Sequence, residues 1–282
     1  MSFEELKNFV KDFMNHAGHQ YSHVLRVYNS VQKVLKSVEA DESVLLPAVI
    51  LHDIARANEK NFRLDDDSLK KAVDYEESDL GKCHADIGAK WARHYLESIG
   101  YDSDKTEKIV YAISCHRFKR GKKPETIEAL ILQQCDKLDA MGAIGVIRTM
   151  IHYPNQHKFY NLEEPIPKIR ELNDDDYAID HFYAKLFKLK DLITIPAIKE
   201  EAEKRHNFML EFVEELNNEV VKRQDGPVHL FLKLLEESVE IPNYDIDNPF
   251  KESNNTLVGK MMHYENVPFF KKYIEQLKTE IL

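Results

Sequence analysis

The stretch DESVLLPAVILHDIAR, residues 41–56, decides how the whole chain is read. Residues 44–51 are a continuous apolar run with Pro47 inside it. Eight residues are far fewer than the ~18 that span a bilayer. They are also too uniformly apolar for a surface helix, so a helix lying in a core is expected. Asp41 or Ser43 supplies its start, and Pro47, near the first turns, is expected to bend it. The run ends on His52-Asp53. An ionisable pair at the end of a buried helix is costly unless something compensates it.

Outward from this segment the chain reads as helical. Nine Gly and ten Pro among 282 residues leave few breaks, and 43% hydrophobic with 31% charged residues is an ordinary globular balance. Ser2-x-x-Glu5 has the form of a capping box ahead of Phe3, Leu6, Phe9, Val10, Phe13 and Met14 at helical spacing, with Gly18 closing that helix. A second stripe runs through Val24, Tyr28, Val31, Leu35 and Val38. Residues 81–99 carry His84, Ile87, Gly88, Trp91, Ala92 and Tyr95 on one face, and Asp104-x-x-Glu107 opens a helix with Ile109, Ile113 and His116 aligned. Pro124 begins a long buried helix that is expected to continue through Asp136 to about residue 150. Residues 58–80 read as a polar loop or lid and 153–180 as irregular. Amphipathic helices follow at about 181–193 and 196–221. Residues 225–282, with four prolines, are expected to pack on the helical core or on a second subunit.

Several functions are disfavoured at this level. A net charge of −10 argues against general nucleic-acid affinity. No apolar run reaches membrane-spanning length, and the first residues, MSFEELKNFVKD, have no signal-like apolar core, so a cytoplasmic location is expected. Three cysteines without a CxxC pair argue against a disulfide framework.

The chemistry sits in ionisable residues on apolar faces. His84 and His116 continue apolar stripes, so both are expected to point inward. Asp136 interrupts LILQQCDKLDAMGAIGVI, residues 130–147. Singly, each reads as an ordinary core histidine, cap or ion-pair partner. Together, a buried carboxylate and several imidazoles can compensate one another by sharing a divalent cation. Nitrogen and oxygen donors without thiolate suit manganese, iron, cobalt or magnesium better than a structural zinc.

The order His23, His52-Asp53, His84, His116, Asp136 resembles the H…HD…H…H…D signature of the HD-domain metal-dependent phosphohydrolases. GHQYSHVLRV around His23, AVILHDIAR and CDKLDAMGAIG support the resemblance, which covers roughly residues 15–150. Downstream, HFYAKLFKLKDLI and EEAEKRHNFMLEFVEEL look like a bacterial and archaeal subgroup, some of whose members hydrolyse nucleoside triphosphates to monophosphates and pyrophosphate, extending the likeness to about residue 221. Relatives often carry Asp-Ala-Asp where this chain has Gln134-Cys135-Asp136. The Gly-Tyr-Pro signature of the cyclic-dinucleotide branch is absent, which disfavours that substrate.

The resemblance implies an all-α fold: a compact HD helical bundle at residues 1–160, a helical extension at 161–224 and a further extension at 225–282. It assigns His23, His52, Asp53 and Asp136 to a divalent metal ion, manganese first, with magnesium, iron, cobalt or nickel as alternatives. Asp53, His84 and His116 carry the catalytic expectation. Either His84 and His116 hold a second ion with Asp53 bridging, or they donate hydrogen bonds to substrate phosphate. A small nucleotide or phosphoester is the expected partner, and a homo-oligomer stays open.

Cations near these positions have two readings. Arg117, Lys119, Arg120, Lys122 and Lys123 crowd directly after His116, as a phosphate-attracting pocket mouth or a solvated loop. Lys185 and Arg205 match cations of the subgroup's C-terminal helices and either reach a polyphosphate or snorkel at the surface. His19 and Arg26 flank His23, the first as a substrate contact and the second as an ion-pair partner. Cys83, Cys115 and Cys135 each precede an expected ligand, and helix neighbours point about 100° apart, so the thiols are expected to pack behind the site. A nucleotide-sensing protein with a structural metal, or an alarmone hydrolase, are the competing functions. The complete ligand set argues against the first, and the lack of synthetase or regulatory domains against the second.

Overall fold

The apolar run at residues 44–51 does form a buried helix, and its neighbours explain how. In a computed structural model that describes residues 3–16, 21–56, 66–79, 81–117, 121–152, 158–161 and 164–224, ten α-helices follow one another, with no β-strand among the described residues. The chain is therefore all-α. The capping residue Ser2, the helix stop Gly18 and residues 225–282 lie outside the described part.

Helix α1 spans Phe3–His16, α2 Tyr21–Val34 and α3 Glu42–Leu51. Asp41 caps α3 by accepting from the Ser43 N–H at 2.9 Å. Pro47 has no N–H to give to the Ser43 carbonyl one turn back. The Tyr101 hydroxyl donates to that carbonyl instead, at 2.6 Å, so the proline sits inside the helix without orphaning its acceptor. Leu45, Ile50 and Leu51 are fully buried.

Helix α4 (Asp67–Val73) and a 3-10 turn (Glu77–Asp79) occupy part of the segment expected to be a polar loop, because Asp66 caps the Leu69 N–H there. Helix α5 spans His84–Ser98 and α6 Ser103–Cys115, the latter capped by Asp102 rather than begun at Asp104. α5 and α6 pack on each other, α3 packs on α6, and α2 packs on α7. α1 contributes Phe9, stacked on Tyr95 of α5 with ring centroids 3.8 Å apart. Gly88 of α5 lies close to α3: a Cβ there would stand in ordinary contact, 3.4 Å from the His52 carbonyl oxygen.

The single long helix expected over 124–150 is instead two, α7 (Ile127–Asp139, capped by Thr126) and α8 (Gly142–His152). Gly142 adopts φ 73°, a left-handed backbone that breaks the helix and suits glycine. The Leu138 carbonyl released at this break accepts from Arg205 Nη1 at 2.8 Å. The amphipathic segment at 181–193 is only partly α-helical: α9 spans Asp180–Ala184 and two 3-10 turns follow. Helix α10, Pro196–Gln224, is the longest among the described residues.

The chain divides into two compact units, Met1–Phe159 with Glu171–Leu210, and Tyr160–Arg170 with Glu211–Leu282. Within the second, the Glu164 carboxylate gathers the N–H groups of Lys168, Ile169 and Arg170 into one turn. Among the described residues no helix is long and apolar enough to cross a membrane.

Candidate metal centre

Two helices end on the residues that matter. His52 is the C-terminal cap of α3 and His116 that of α6. A helix C-terminus leaves carbonyls without intrahelical donors, and each imidazole folds back to one of them. His52 Nδ1 lies 2.7 Å from the Val49 carbonyl and His116 Nδ1 2.6 Å from the Ile113 carbonyl. A carbonyl only accepts, so Nδ1 donates in both rings. In the neutral ring Nε2 then carries the lone pair. His23, on α2, repeats the pattern with a carboxylate: its Nδ1 lies 2.7 Å from Asp139 Oδ2 on α7.

These nitrogens converge. His23, His52 and Asp136 offer ligand atoms within 4.8 Å of one another, and Asp53, His84 and His116 form a second such group. His23 Nε2 and His52 Nε2 are 3.2 Å apart, and His84 Nε2 and His116 Nε2 are 3.1 Å apart. Asp53 stands between the groups. Its Oδ2 lies 3.5 Å from His23 Nε2 and 3.9 Å from His52 Nε2, whereas Oδ1 lies 3.4 Å from His84 Nε2 and 3.5 Å from His116 Nε2. All these imidazoles are buried, while the Asp136 side chain keeps 27% of its surface exposed and so marks the open side.

The donor set fits a divalent cation. The His23 and His52 Nε2 atoms, 3.2 Å apart, need a proton or a metal between them, whereas Arg56 donates to His84 Nδ1, so that a neutral His84 keeps its proton on Nε2 and donates it to His116 Nε2. Carboxylates balance the charge, and α3 and α6 present the negative ends of their dipoles. No cysteine belongs to either group among the described residues. Cys115 and Cys135 are buried, the latter with its thiol pushed up to about 12 by burial.

Without metal, protons do part of the work. Burial disfavours a charged His23, yet its hydrogen bonds to Asp136 and Asp139 outweigh that and raise it to about 9. His52, fully buried, is pushed down to about 4, with the charge of Asp53 opposing. For Asp136 burial works upward, but His23, His52 and His116 hold it well below the usual carboxylate range. The stabilisation from charged His23 is complete below its unfolded value of about 6.5 and is lost as pH rises through about 9. A cation binding at neutral pH must therefore expel that proton. Metal titration calorimetry in two buffers of different ionisation enthalpy is expected to show close to one proton released at pH 7, falling towards none above pH 9.

Three contacts here are not foreshadowed by periodicity. Asp139 is one. Arg56 is another: its Nη1 lies 2.9 Å from His84 Nδ1 and 3.2 Å from Nε2, placing a guanidinium beside the second group. The third is Gln134, whose Oε1 accepts from the N–H groups of Thr194 and Ile195 and whose Nε2 donates to Thr194 Oγ1 at 2.8 Å. The amide thus ties α7 to the residues leading into α10.

The outlying cations are placed as follows. Arg117 donates to Cys83 Sγ at 3.4 Å, and Lys122 to Ser114 Oγ at 3.2 Å. Arg205 is engaged with Leu138 and with Glu201 at 2.9 Å. Lys185 closes α9, its N–H donating to the His181 carbonyl. His19, Lys119 and Arg120 lie outside the described residues.

Residues 21–141 match the HD domain family. The match contains all six residues of the two groups. Over 224 residues the chain is 26% identical to the Bacillus subtilis protein YpgQ, covering 77% of this chain and 93% of YpgQ. A crystal structure of an HD-superfamily hydrolase from Bacillus thuringiensis is similar at 28% identity and a TM-score of 0.56, covering 77% of this chain and 95% of that one. A crystal structure of Bacillus subtilis YpgQ in complex with ADP matches at 23% identity and a TM-score of 0.54, with 77% and 94% covered. The HD domain and its hydrolase neighbour support a metal-dependent phosphohydrolase.

Proposed function

We propose that this chain hydrolyses a phosphoanhydride or phosphoester of a nucleotide, preferentially splitting a (deoxy)nucleoside triphosphate into monophosphate and pyrophosphate. The observation that carries the reading is Asp53, one carboxylate oxygen turned to each group of imidazoles. The ADP complex of YpgQ supports a nucleotide ligand.

His23, His52, Asp53 and Asp136 would hold a divalent ion, manganese by preference. When bound, such an ion lowers the pKa of a coordinated water and offsets charge on a phosphoryl oxygen. Asp53, with one oxygen turned to each group, would help hold the ion and accept a hydrogen bond from its water. His84 and His116 lie against the opposite oxygen of Asp53, with Arg56 beside His84, so the guanidinium would supply positive charge and the imidazoles hydrogen bonds to a phosphate. If a second ion were held, His84 and His116 would be its ligands, and Arg56, whose Nη1 is 3.2 Å from His84 Nε2, would have to withdraw from that nitrogen. Arg117, which leaves α6 directly after His116, extends positive charge outward from the site.

A purified-protein screen with manganese tests this. Triphosphates, monophosphates, cyclic nucleotides and an aryl phosphate are each compared with a chelated control. Pyrophosphate released from triphosphates, and abolished by chelator, is the expected result. No turnover of any phosphate under any divalent metal would leave a nucleotide-sensing protein in its place.

A further inference from the structure

Asp139 is a buried carboxylate, 2% exposed, that the hydrolytic reading has not used. It is three residues after Asp136 on α7, and i, i+3 positions share a helix face. The two carboxylates grip a single imidazole from opposite sides. Asp136 Oδ1 is 3.3 Å from His23 Nε2, and Asp139 Oδ2 is 2.7 Å from His23 Nδ1. Asp139 is itself fixed from behind. Arg26, one helical turn after His23 on α2, donates from Nε at 2.7 Å and Nη2 at 3.0 Å, a fork that matches a carboxylate. Arg148 of α8 adds a longer contact at 3.4 Å.

We infer that Asp139, braced by Arg26, is the positioning residue for His23: it holds Nδ1–H and so presents the Nε2 lone pair to the cation. The inference rests on the metal-centre reading above. Its physical basis is general. An imidazole that ligates through one nitrogen is oriented and made more basic by an acceptor at the other, and losing that acceptor weakens metal binding by about 10–100-fold. A carboxylate needed only as Arg26's ion-pair partner has no reason to share its Oδ2 with His23. His52 and His116 achieve the same orientation with helix-end carbonyls. His23 lies inside α2, where the backbone carbonyls already have helical donors, and needs a side chain from another helix.

Manganese affinity of the full chain, measured by competition with a fluorescent chelator, tests this for the parent, Asp139→Asn, Arg26→Gln and Asp79→Asn. Asp79 is a buried carboxylate paired with Lys82 and Lys90, and it controls for mere loss of a buried ion pair. Asp139→Asn is expected to bind manganese about 10–100-fold more weakly. Arg26→Gln, at a side chain one-third exposed, is expected to bind several-fold more weakly. Asp79→Asn is expected to lower the melting temperature but keep parental affinity. In the parent loaded with diamagnetic zinc instead of manganese, ¹⁵N shifts should report His23 as the Nδ1–H tautomer, and Asp139→Asn should lose that preference. Asp139→Asn and Arg26→Gln both within twofold of the parent would overturn the inference and leave the metal centre standing. A parent that binds no manganese would overturn both.

Discussion

Asp53→Ala lowers turnover by at least about 10³-fold under saturating manganese, the scale on which groups essential to a reacting centre act. The expectation follows from where the side chain stands. Asp53 stands within 4 Å of imidazoles from both groups, so its loss separates them. It also removes an anionic ligand from a hard cation, so bound metal measured on the same sample should fall. Helicity should be retained, because Leu45, Ile50, Leu51, Ile109, Ile113, Ile131 and Leu132 form a core without the metal. An Asp53 that served only as a cap or ion-pair partner would give the opposite pattern, a loss of roughly 1–3 kcal/mol in stability with chemistry spared.

Stripping the metal gives the second large effect. A cation that binds the folded chain alone stabilises it by about 4 kcal/mol when present at a thousand times its dissociation constant. For a domain of this size each kcal/mol moves the melting temperature by about 2–4 °C, so chelation is expected to lower it by about 8–16 °C. The cause lies in the cluster. Asp53, Asp136 and Asp139 approach one another through imidazoles that are buried and, in the case of His52, held neutral by burial. Without the ion, the proton on His23 compensates only part of this charge. Paired melts with manganese and with excess chelator measure the difference. A shift below about 1 °C would mean that the cluster is satisfied without a cation.

The contrast between what the chain discloses locally and what it discloses only when folded follows from range. His52-Asp53, His84, His116 and Asp136 stand out because each interrupts or continues an apolar face, where an ionisable group has no local excuse. His23 stands out only through the ordered signature. Asp139 does not stand out, since a charged residue in the last turn of a helix is ordinary, and its partners His23 and Arg26 lie 116 and 113 positions away. Arg56, in the turn after α3, is hidden for the same reason. The α7–α8 break was written in Gly142 but outweighed by continuous apolar periodicity across it. α4 falls within a segment too polar to show a face, and its cap Asp66 is a better signal than its composition. Gln134 shows how a carboxamide can serve where the resemblance led to an aspartate: its oxygen accepts two N–H groups, and its nitrogen donates to Thr194 besides.

The central claim is that these helices close around a divalent cation, and crystals grown with manganese test it most directly through anomalous scattering. The predicted result is a peak within coordination distance of His23 Nε2, His52 Nε2, Asp53 and Asp136, with a second peak at His84 and His116 if Asp53 bridges two ions. Crystals of catalytically active protein, saturated with manganese and showing no anomalous peak among these six residues, would contradict it.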